Sequence, residues 1–298
     1  MSATPLPESA RSGAAIALMP ALFVLLWSTG FIGAKLGLPD AEPATFLALR
    51  FAVVAVLLAA LALVVKAPWP SSASAIGHMI LAGLLLHGVY LGGVFASIAH
   101  GVPAGVSALI VGIQPVLTAA VVGRVFGERV TALQWGGFLL GVIGVVLVVW
   151  NKLGLGLGSP FGYGLSFLAL LGITAGTVYQ KKYCGGMDLR SGNAIQFAAT
   201  ALFLLPFALA FETMHIEWTG RFVFALAWLC LVLSLGAISL LFILLRRGAA
   251  AKVTSLFYMV PPCTAVIAWA LFDETLGPLA LAGMACAMAG VALVNARR

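Results

Sequence analysis

Two polar side chains lie deep inside one of the long apolar runs of this 298-residue sequence. His87 and Tyr90 are one helical turn apart, midway along their run, so they share one face of a helix. Polar groups at mid-membrane depth are costly unless they face a cavity or a partner helix. The pair is therefore a candidate for ligand binding, and an interhelical hydrogen bond is an equally good explanation.

Two proline-containing stretches also place polar groups at this depth. Gln114 precedes Pro115 midway along one run, and Tyr258 precedes Pro261 and Pro262 midway along another. Proline removes a backbone donor, so we expect each helix to be kinked or broken there. Irregular backbone at this depth is tolerated where it lines a cavity, which makes Gln114 and Tyr258 further site candidates.

Three more side chains complete the candidate set. Trp27 is in the middle of the first run, where stacking on an aromatic ligand and plain core packing explain it equally well. Tyr179 and Ser234 are included for their hydroxyl groups, although a serine in a helix bonds by default to its own backbone. Trp69, in contrast, lies at the end of a run, where an aromatic belt explains it.

The composition shows what must position these residues. The residues AVILMFWYC make up 62% of the chain, charged residues make up 8%, and the mean hydropathy is +1.13. Soluble domains have about 45–50% apolar and about 25% charged residues, so a water-soluble globule is excluded. The runs are long and do not alternate, which predicts membrane-spanning helices rather than a β-barrel. We expect an all-α protein with ten spans, at residues 16–36, 44–66, 77–98, 103–123, 131–150, 160–181, 191–211, 222–244, 249–271 and 277–296.

The charged residues flank these runs. The 16 Lys and Arg against 9 Asp and Glu leave a net charge of +7, which in a soluble protein would suggest a nucleic acid partner. Here they are topology signals, and most basic residues fall on the side of the N terminus. We therefore predict a multi-pass protein of the inner (plasma) membrane with both termini in the cytoplasm and no nucleic acid partner. The four cysteines have no paired spacing, so neither a disulfide nor a metal site is expected.

The sequence matches itself at an offset of 146 residues. Lys35 aligns with Lys181, Phe51 with Phe197, and Glu128 with Glu274, and a one-residue slip to 147 aligns Pro115 with Pro262. We predict a disordered tail over residues 1–12, a first five-helix repeat over 13–151, a Gly-rich linker over 152–158 and a second repeat over 159–298. Because five is odd, the two repeats must enter the membrane in opposite orientations.

At this point the chain resembles the EamA type of the drug/metabolite transporter superfamily, and more narrowly the YddG-type aromatic amino-acid exporters. The resemblance covers nearly the whole chain and rests on Trp27-Ser28-Thr29-Gly30-Phe31 and on the pairs Pro115…Glu128 and Pro262…Glu274. It implies an inner-membrane exporter with a central cavity between the halves that opens alternately to either side.

Three groups of charged residues lie near the span ends. Arg50 is several residues into the second span, so we expect it to pair with Asp40, with Glu42 or with backbone carbonyls. Lys35 and Lys181 are expected to extend to the headgroups. Glu128 and Glu274 are expected to cap the helices that follow them.

Motifs of metalloproteases, serine hydrolases and P-loop ATPases are absent from the sequence, which predicts no enzyme activity, no cofactor and no use of ATP. We expect a secondary transporter that exports small metabolites, with an aromatic or apolar amino acid as substrate. A multidrug or other metabolite exporter, a channel, a membrane-embedded enzyme and a scaffold protein are the alternatives. No acidic residue falls at mid-span, so we expect facilitated diffusion with His87 as a hydrogen-bond partner and not a proton carrier.

Overall fold

The computed structural model describes residues 8–102, 104–153, 158–272 and 277–296. These residues form helices and short connections, with one isolated antiparallel bridge between Ala41 and Ile216. Residues 1–7 of the predicted tail and 154–157 of the predicted linker lie outside the described residues, and the first helix begins at Glu8.

We number the helices by expected span. They are α1 (Glu8–Gly37), α2 (Pro43–Val64), α3 (Ala73–Ala99), α4 (Ala104–Val111 and Gln114–Phe126), α5 (Ala132–Leu153), α6 (Pro160–Tyr183), α7 (Leu189–Phe211), α8 (Gly220–Arg247), α9 (Ala250–Ser255, Leu256–Met259 and Val260–Phe272) and α10 (Pro278–Asn295). Following the predicted orientation, we call the membrane face at which α1 begins the inner face and the opposite one the outer face.

The described helices confirm an all-α, multi-pass membrane fold. Nine of them are long and apolar enough to cross a bilayer. Helix α5 contributes a shorter apolar segment, Ala132–Leu147, so the exact count of ten spans stays a prediction. Several starts follow from local chemistry, since Pro43, Pro160 and Pro278 occupy the first helical turn, where proline loses no intrahelical bond.

Two pairs of repeat counterparts pack against each other, α2 with α7 and α5 with α10. A Cβ on Gly137 would lie 2.8 Å from the carbonyl oxygen of Gly290, and one on Gly144 would lie 2.6 Å from that of Gly283. Residue numbers rise along α5 as they fall along α10, so the helices are antiparallel. Because Gly283 and Gly290 are the counterparts of Gly137 and Gly144, a two-fold axis perpendicular to the helices relates them. This confirms the expected inversion of the two halves.

Both halves interrupt their helices at corresponding places. Helix α3 is π-helical over Leu84–Val89, and α8 is π-helical over Leu229–Ala237. Helix α4 breaks at residues 112–113, and α9 tightens to a 3₁₀ turn over Leu256–Met259. The breaks expected in α4 and α9 are confirmed. They come just before Pro115 and just before Pro261, and proline lacks the N–H that would continue the helix.

Candidate substrate-binding site

A cavity of about 450 Å³ lies between α1, α2, α3 and α8. Its walls come mainly from the outer halves of α1 and α3, between Trp27 and Ala34 and between Tyr90 and Phe95. A smaller cavity of about 230 Å³ shares Trp27 and Tyr90 and extends to the broken parts of α4 and α9. The helix breaks therefore adjoin the cavity, as irregular backbone inside a membrane usually does.

Aromatic rings form the wall between the two cavities. The rings of Trp27 and Tyr90 are nearly parallel, at 8°, with centroids 6.4 Å apart. Phe257 meets the Trp27 ring edge-on at 5.2 Å, and Phe23 lies at the same distance at a tilt. Trp27 and Tyr90 thus lie on the cavity wall.

Arg50 is buried and also lines the larger cavity. Its Nε and one terminal nitrogen donate to the hydroxyl oxygen of Ser234, at 3.2 and 3.1 Å. Ser234 therefore reaches the site through Arg50, and it bonds across to another helix where a bond to its own backbone was the default. The π-helical segment of α8 holds this serine in place.

The carboxylates expected as partners of Arg50 are wrong, because residues of the α7–α8 connection and of the first turn of α8 bind both of them. Asp40 accepts hydrogen bonds from Nη2 and Nε of Arg221, at 2.8 and 3.1 Å, and these bonds hold the pKa of Asp40 below its usual value. Glu42 accepts from the backbone N–H and the hydroxyl of Thr213, both at 2.6 Å, which lowers the pKa of Glu42. In the described part of the chain, no carboxylate pairs with Arg50.

His87 lies one turn inward from Tyr90 and faces the contact between α2 and α7. Its ring stacks on Phe197 at 4.3 Å and lies 5.7 Å from Phe51. The side chain is fully buried, and neither ring nitrogen has a hydrogen-bond partner among the described residues. His87 is thus beside the larger cavity rather than on its wall.

The other three predicted residues lie apart from Trp27 and Tyr90. Gln114 donates to the hydroxyl of Thr177 at 3.2 Å. Tyr258 packs on the backbone of Gly141, where a Cβ would lie 2.4 Å from the ring. Tyr179 has its hydroxyl 2.7 Å from Nδ1 of His78, near the inner face. Their roles in binding stay predictions.

Three aromatic residues that line the two cavities were not among the predicted site residues: Phe31, Phe95 and Phe257. Helical spacing could have found Phe31, which is four residues after Trp27 and shares its face. For Phe257 no such signal exists, because it lies in the 3₁₀ turn, where the helical phase changes.

An ionic contact joins two connections and a helix end at the inner face. Lys181 donates to Oε1 of Glu128 at 2.9 Å and to the carbonyl oxygen of Gly248 at 2.8 Å. The headgroup role expected for Lys181 is therefore wrong. Glu128 also accepts from the backbone N–H of Ala250 at 3.0 Å, so it caps α9 rather than the helix that follows it. Glu274 lies outside the described residues.

Comparisons with known proteins agree with this architecture. The EamA-like transporter family matches residues 13–150 and again residues 160–296. The uncharacterized inner membrane transporter YedA of Escherichia coli K12 is 26% identical over 280 residues, covering 93% of this chain and 90% of that protein. The uncharacterized transporter YvbV of Bacillus subtilis is 28% identical over 289 residues, covering 94% and 92%.

A third relative, the probable amino-acid metabolite efflux pump of Salmonella typhimurium, is 26% identical over 281 residues. The match covers 91% of this chain and 91% of that protein. One protein crystal structure with 19% identity superposes with a TM-score of 0.77, covering 93% of this chain and 96% of that one, which supports the fold alone. Since the family matches both halves of the sequence, the chain belongs to the EamA-like transporter family.

Proposed function

We propose that this transporter exports aromatic amino acids or closely related metabolites from the cytoplasm by alternating access. The observation that carries the proposal is the aromatic wall of the cavity, in which Trp27 and Tyr90 lie parallel beside Phe31. Aromatic faces bind aromatic ligands by stacking, and small-molecule sites are typically lined by apolar and aromatic side chains with a few polar groups. The efflux pump of Salmonella typhimurium, a relative, is named for amino-acid metabolites, which agrees with this substrate class.

The inverted halves support alternating access. In transporters with such repeats, each half can adopt the conformation of the other, which moves the opening to the opposite face. The contact of Lys181 with Glu128 and Gly248 ties α6 to the α4–α5 and α8–α9 connections at the inner face. Opening to the cytoplasm would require that contact to separate.

Several buried polar side chains lack hydrogen-bond partners in this conformation, which also bears on alternating access. Among the described residues, side chains with unpartnered buried atoms include His87, Gln114, Gln196 and Tyr258, together with Thr118 and Asn193. Buried polar atoms are ordinarily hydrogen-bonded, so these need an explanation.

The internal repeat suggests an explanation for these unpartnered atoms. At the offsets of 146 and 147, Gln196 corresponds to Arg50, Gln114 to Pro261 and Tyr258 to Val111, and all three counterparts line the cavities. For α3 and α8 the offset of 147 follows from packing, since the contact of Gly30 with Leu233 recurs between Gly176 and Leu86.

With that offset, His87 corresponds to Ser234, the partner of Arg50. When the halves exchange conformations, Gln114, Gln196 and Tyr258 would therefore line the cavity that opens inward, and His87 would lie beside Gln196 as Ser234 now lies beside Arg50. Water and substrate would satisfy them there.

Counterflow tests the proposal. Purified protein in liposomes preloaded with unlabelled phenylalanine should accumulate labelled external phenylalanine transiently, with saturation, and liposomes with aspartate inside should not. Because the described carboxylates lie at helix ends or in connections, we expect no change when the pH gradient is collapsed, and the flux should persist in His87→Gln. Absence of counterflow would overturn the substrate class, and single-channel currents would favour a channel instead.

A further inference from the structure

The described part of the membrane interior holds one buried guanidinium on a cavity wall, that of Arg50. On the basis of the proposed function, we propose that Arg50, positioned by Ser234, binds the carboxylate of the substrate. We infer in addition that this carboxylate, and not an amino group, is the charge that the site requires.

Arg50 is a buried cation with few acceptors around it. An arginine cannot lose its proton in a protein, and a cation within the hydrocarbon layer is costly unless an anion or several acceptors surround it. Among the described residues, its side-chain nitrogens donate to a single neutral acceptor, the hydroxyl of Ser234. The nearest acidic residues in the sequence, Asp40 and Glu42, are bound by Arg221 and Thr213.

The shape of the guanidinium group also suits a carboxylate. The guanidinium presents five N–H donors in one plane, a pattern that matches the two oxygens of a carboxylate. Ser234 takes the Nε edge and one terminal nitrogen, which fixes the plane of the group at the cavity wall. An anion that enters the cavity would complete the set of acceptors and form charge-assisted hydrogen bonds.

The rest of the described cavity wall carries no charge. Apart from Arg50, its described walls are aromatic and aliphatic, with Trp27, Phe31, Tyr90 and Leu233 among them. No carboxylate lines it in the described part of the chain, so an ammonium group would find no ion partner there. The walls therefore suit a small acid with an aromatic body.

Three matched probes separate the two charges: phenylalanine, 3-phenylpropanoate, which lacks the amino group, and phenethylamine, which lacks the carboxylate. Binding to the purified protein in nanodiscs can be followed by the intrinsic fluorescence of Trp27 and the other tryptophans. We expect both carboxylates to bind about 10- to 100-fold more tightly than the amine, the range for losing hydrogen bonds to a charged group.

Variants assign the preference to one side chain. Arg50→Gln should abolish the difference between acid and amine, whereas Arg50→Lys should weaken the acid but keep the preference. Arg190→Gln, at the inner face, is the matched control and should leave the difference between acid and amine unchanged. If Arg50→Gln does not fold, Ser234→Ala decides, because it should weaken the acid about 3- to 10-fold and leave the amine unchanged.

Equal binding of the amine and the acid by the wild-type protein would overturn the inference, and so would an acid preference that survives Arg50→Gln. Acid-selective binding without phenylalanine counterflow would reject the proposed function and leave the carboxylate site in place. Counterflow of phenylalanine without acid selectivity would do the reverse. If none of the three probes binds, both proposals fail.

Discussion

The ring of Phe51 stacks on the ring of Phe197, with centroids 5.5 Å apart and planes at 29°. The two residues are counterparts in the sequence repeat, and a residue can touch its own counterpart only near the two-fold axis. The glycine contact between α5 and α10 marks a second point on that axis. A motion that exchanges the conformations of the halves maps the Phe51–Phe197 pair onto itself, and His87, stacked on Phe197, lies beside it.

Cysteine accessibility tests the exchange directly. Phe31 lines the cavity of this state, and its repeat counterpart is Thr177, which is fully buried. In a background without the four native cysteines, an impermeant maleimide should label Phe31→Cys from the outer face and Thr177→Cys from the inner face. Substrate should slow both reactions. A transport-competent protein whose Thr177→Cys never reacts from inside would contradict the exchange.

Substitution of Trp27 tests the aromatic wall. Trp27→Ala should weaken the binding of phenylalanine by about 1–3 kcal/mol, the range for loss of an aromatic stacking partner. Trp69 is exposed at the end of α2 and the start of α3, so Trp69→Ala is the control and should leave binding unchanged. Equal losses in both variants at equal protein levels would show that the tryptophans serve folding and not the ligand.

Gly144 is tightly packed near the two-fold axis, whereas Gly136 on the same helix has open space around it. A Cβ on Gly144 would lie 2.5 Å from the backbone nitrogen of Ala287, whereas one on Gly136 would meet nothing within 4 Å. Gly144→Ala should lower the free energy of unfolding by about 1–3 kcal/mol, because backbone cannot move aside cheaply. Gly136→Ala should be neutral or slightly stabilising, since alanine favours helix. Thermal unfolding in detergent would measure both, and equal midpoints would refute the packing.

The inner contact can be weakened from either side. Lys181→Met removes the ion pair and the bond to Gly248. Glu128→Ala removes the ion pair and the acceptor for two backbone N–H groups, those of Ala250 and Ala251. We therefore expect faster labelling of Thr177→Cys from inside in both variants, about twofold to tenfold, with the larger increase for Glu128→Ala. Lys182→Met is the control, because Lys182 packs over Tyr183 and makes no such bond with the described residues.

Asp188 gives the protein an acid-sensitive helix start. It accepts hydrogen bonds from Arg190 and from the backbone N–H of Ser191 at the start of α7, and these lower its pKa from 3.8 to about 2. A lowered pKa stabilises the folded state above the unfolded value, and this stability is lost as pH falls from about 4 towards 2. Asp188→Asn should reduce stability at pH 7 and flatten its change across that interval. An unchanged pH profile of thermal unfolding would contradict the assignment.

The sequence predicts the helices and the helix breaks because hydropathy and proline act locally along the chain. It predicts the inversion because the internal repeat can be read directly from the residues. It does not predict the partner of Arg50, because Ser234 is 184 residues away and reaches it only through the packing of α8 on α2. Nor does it separate Phe257, on the cavity, from Tyr258, against Gly141, because neighbouring residues diverge by about 100° on a helix and the 3₁₀ turn shifts that phase. The sequence also fails to predict that Glu128 caps α9 and not α5, because Ala250 is 122 residues away and reaches Glu128 only where the two halves pack together.

The two halves are not equivalent in charge, because the repeat counterpart of the cationic Arg50 is the neutral Gln196. A carrier that presents a guanidinium towards the outer face and an amide towards the inner face holds a carboxylate more tightly outside. For an uncoupled carrier and a substrate without net charge, the ratio of maximal rate to Michaelis constant must be the same in both directions. The lower Michaelis constant outside then requires a lower maximal rate of uptake, so at saturating substrate the protein would rectify in favour of export without any energy source.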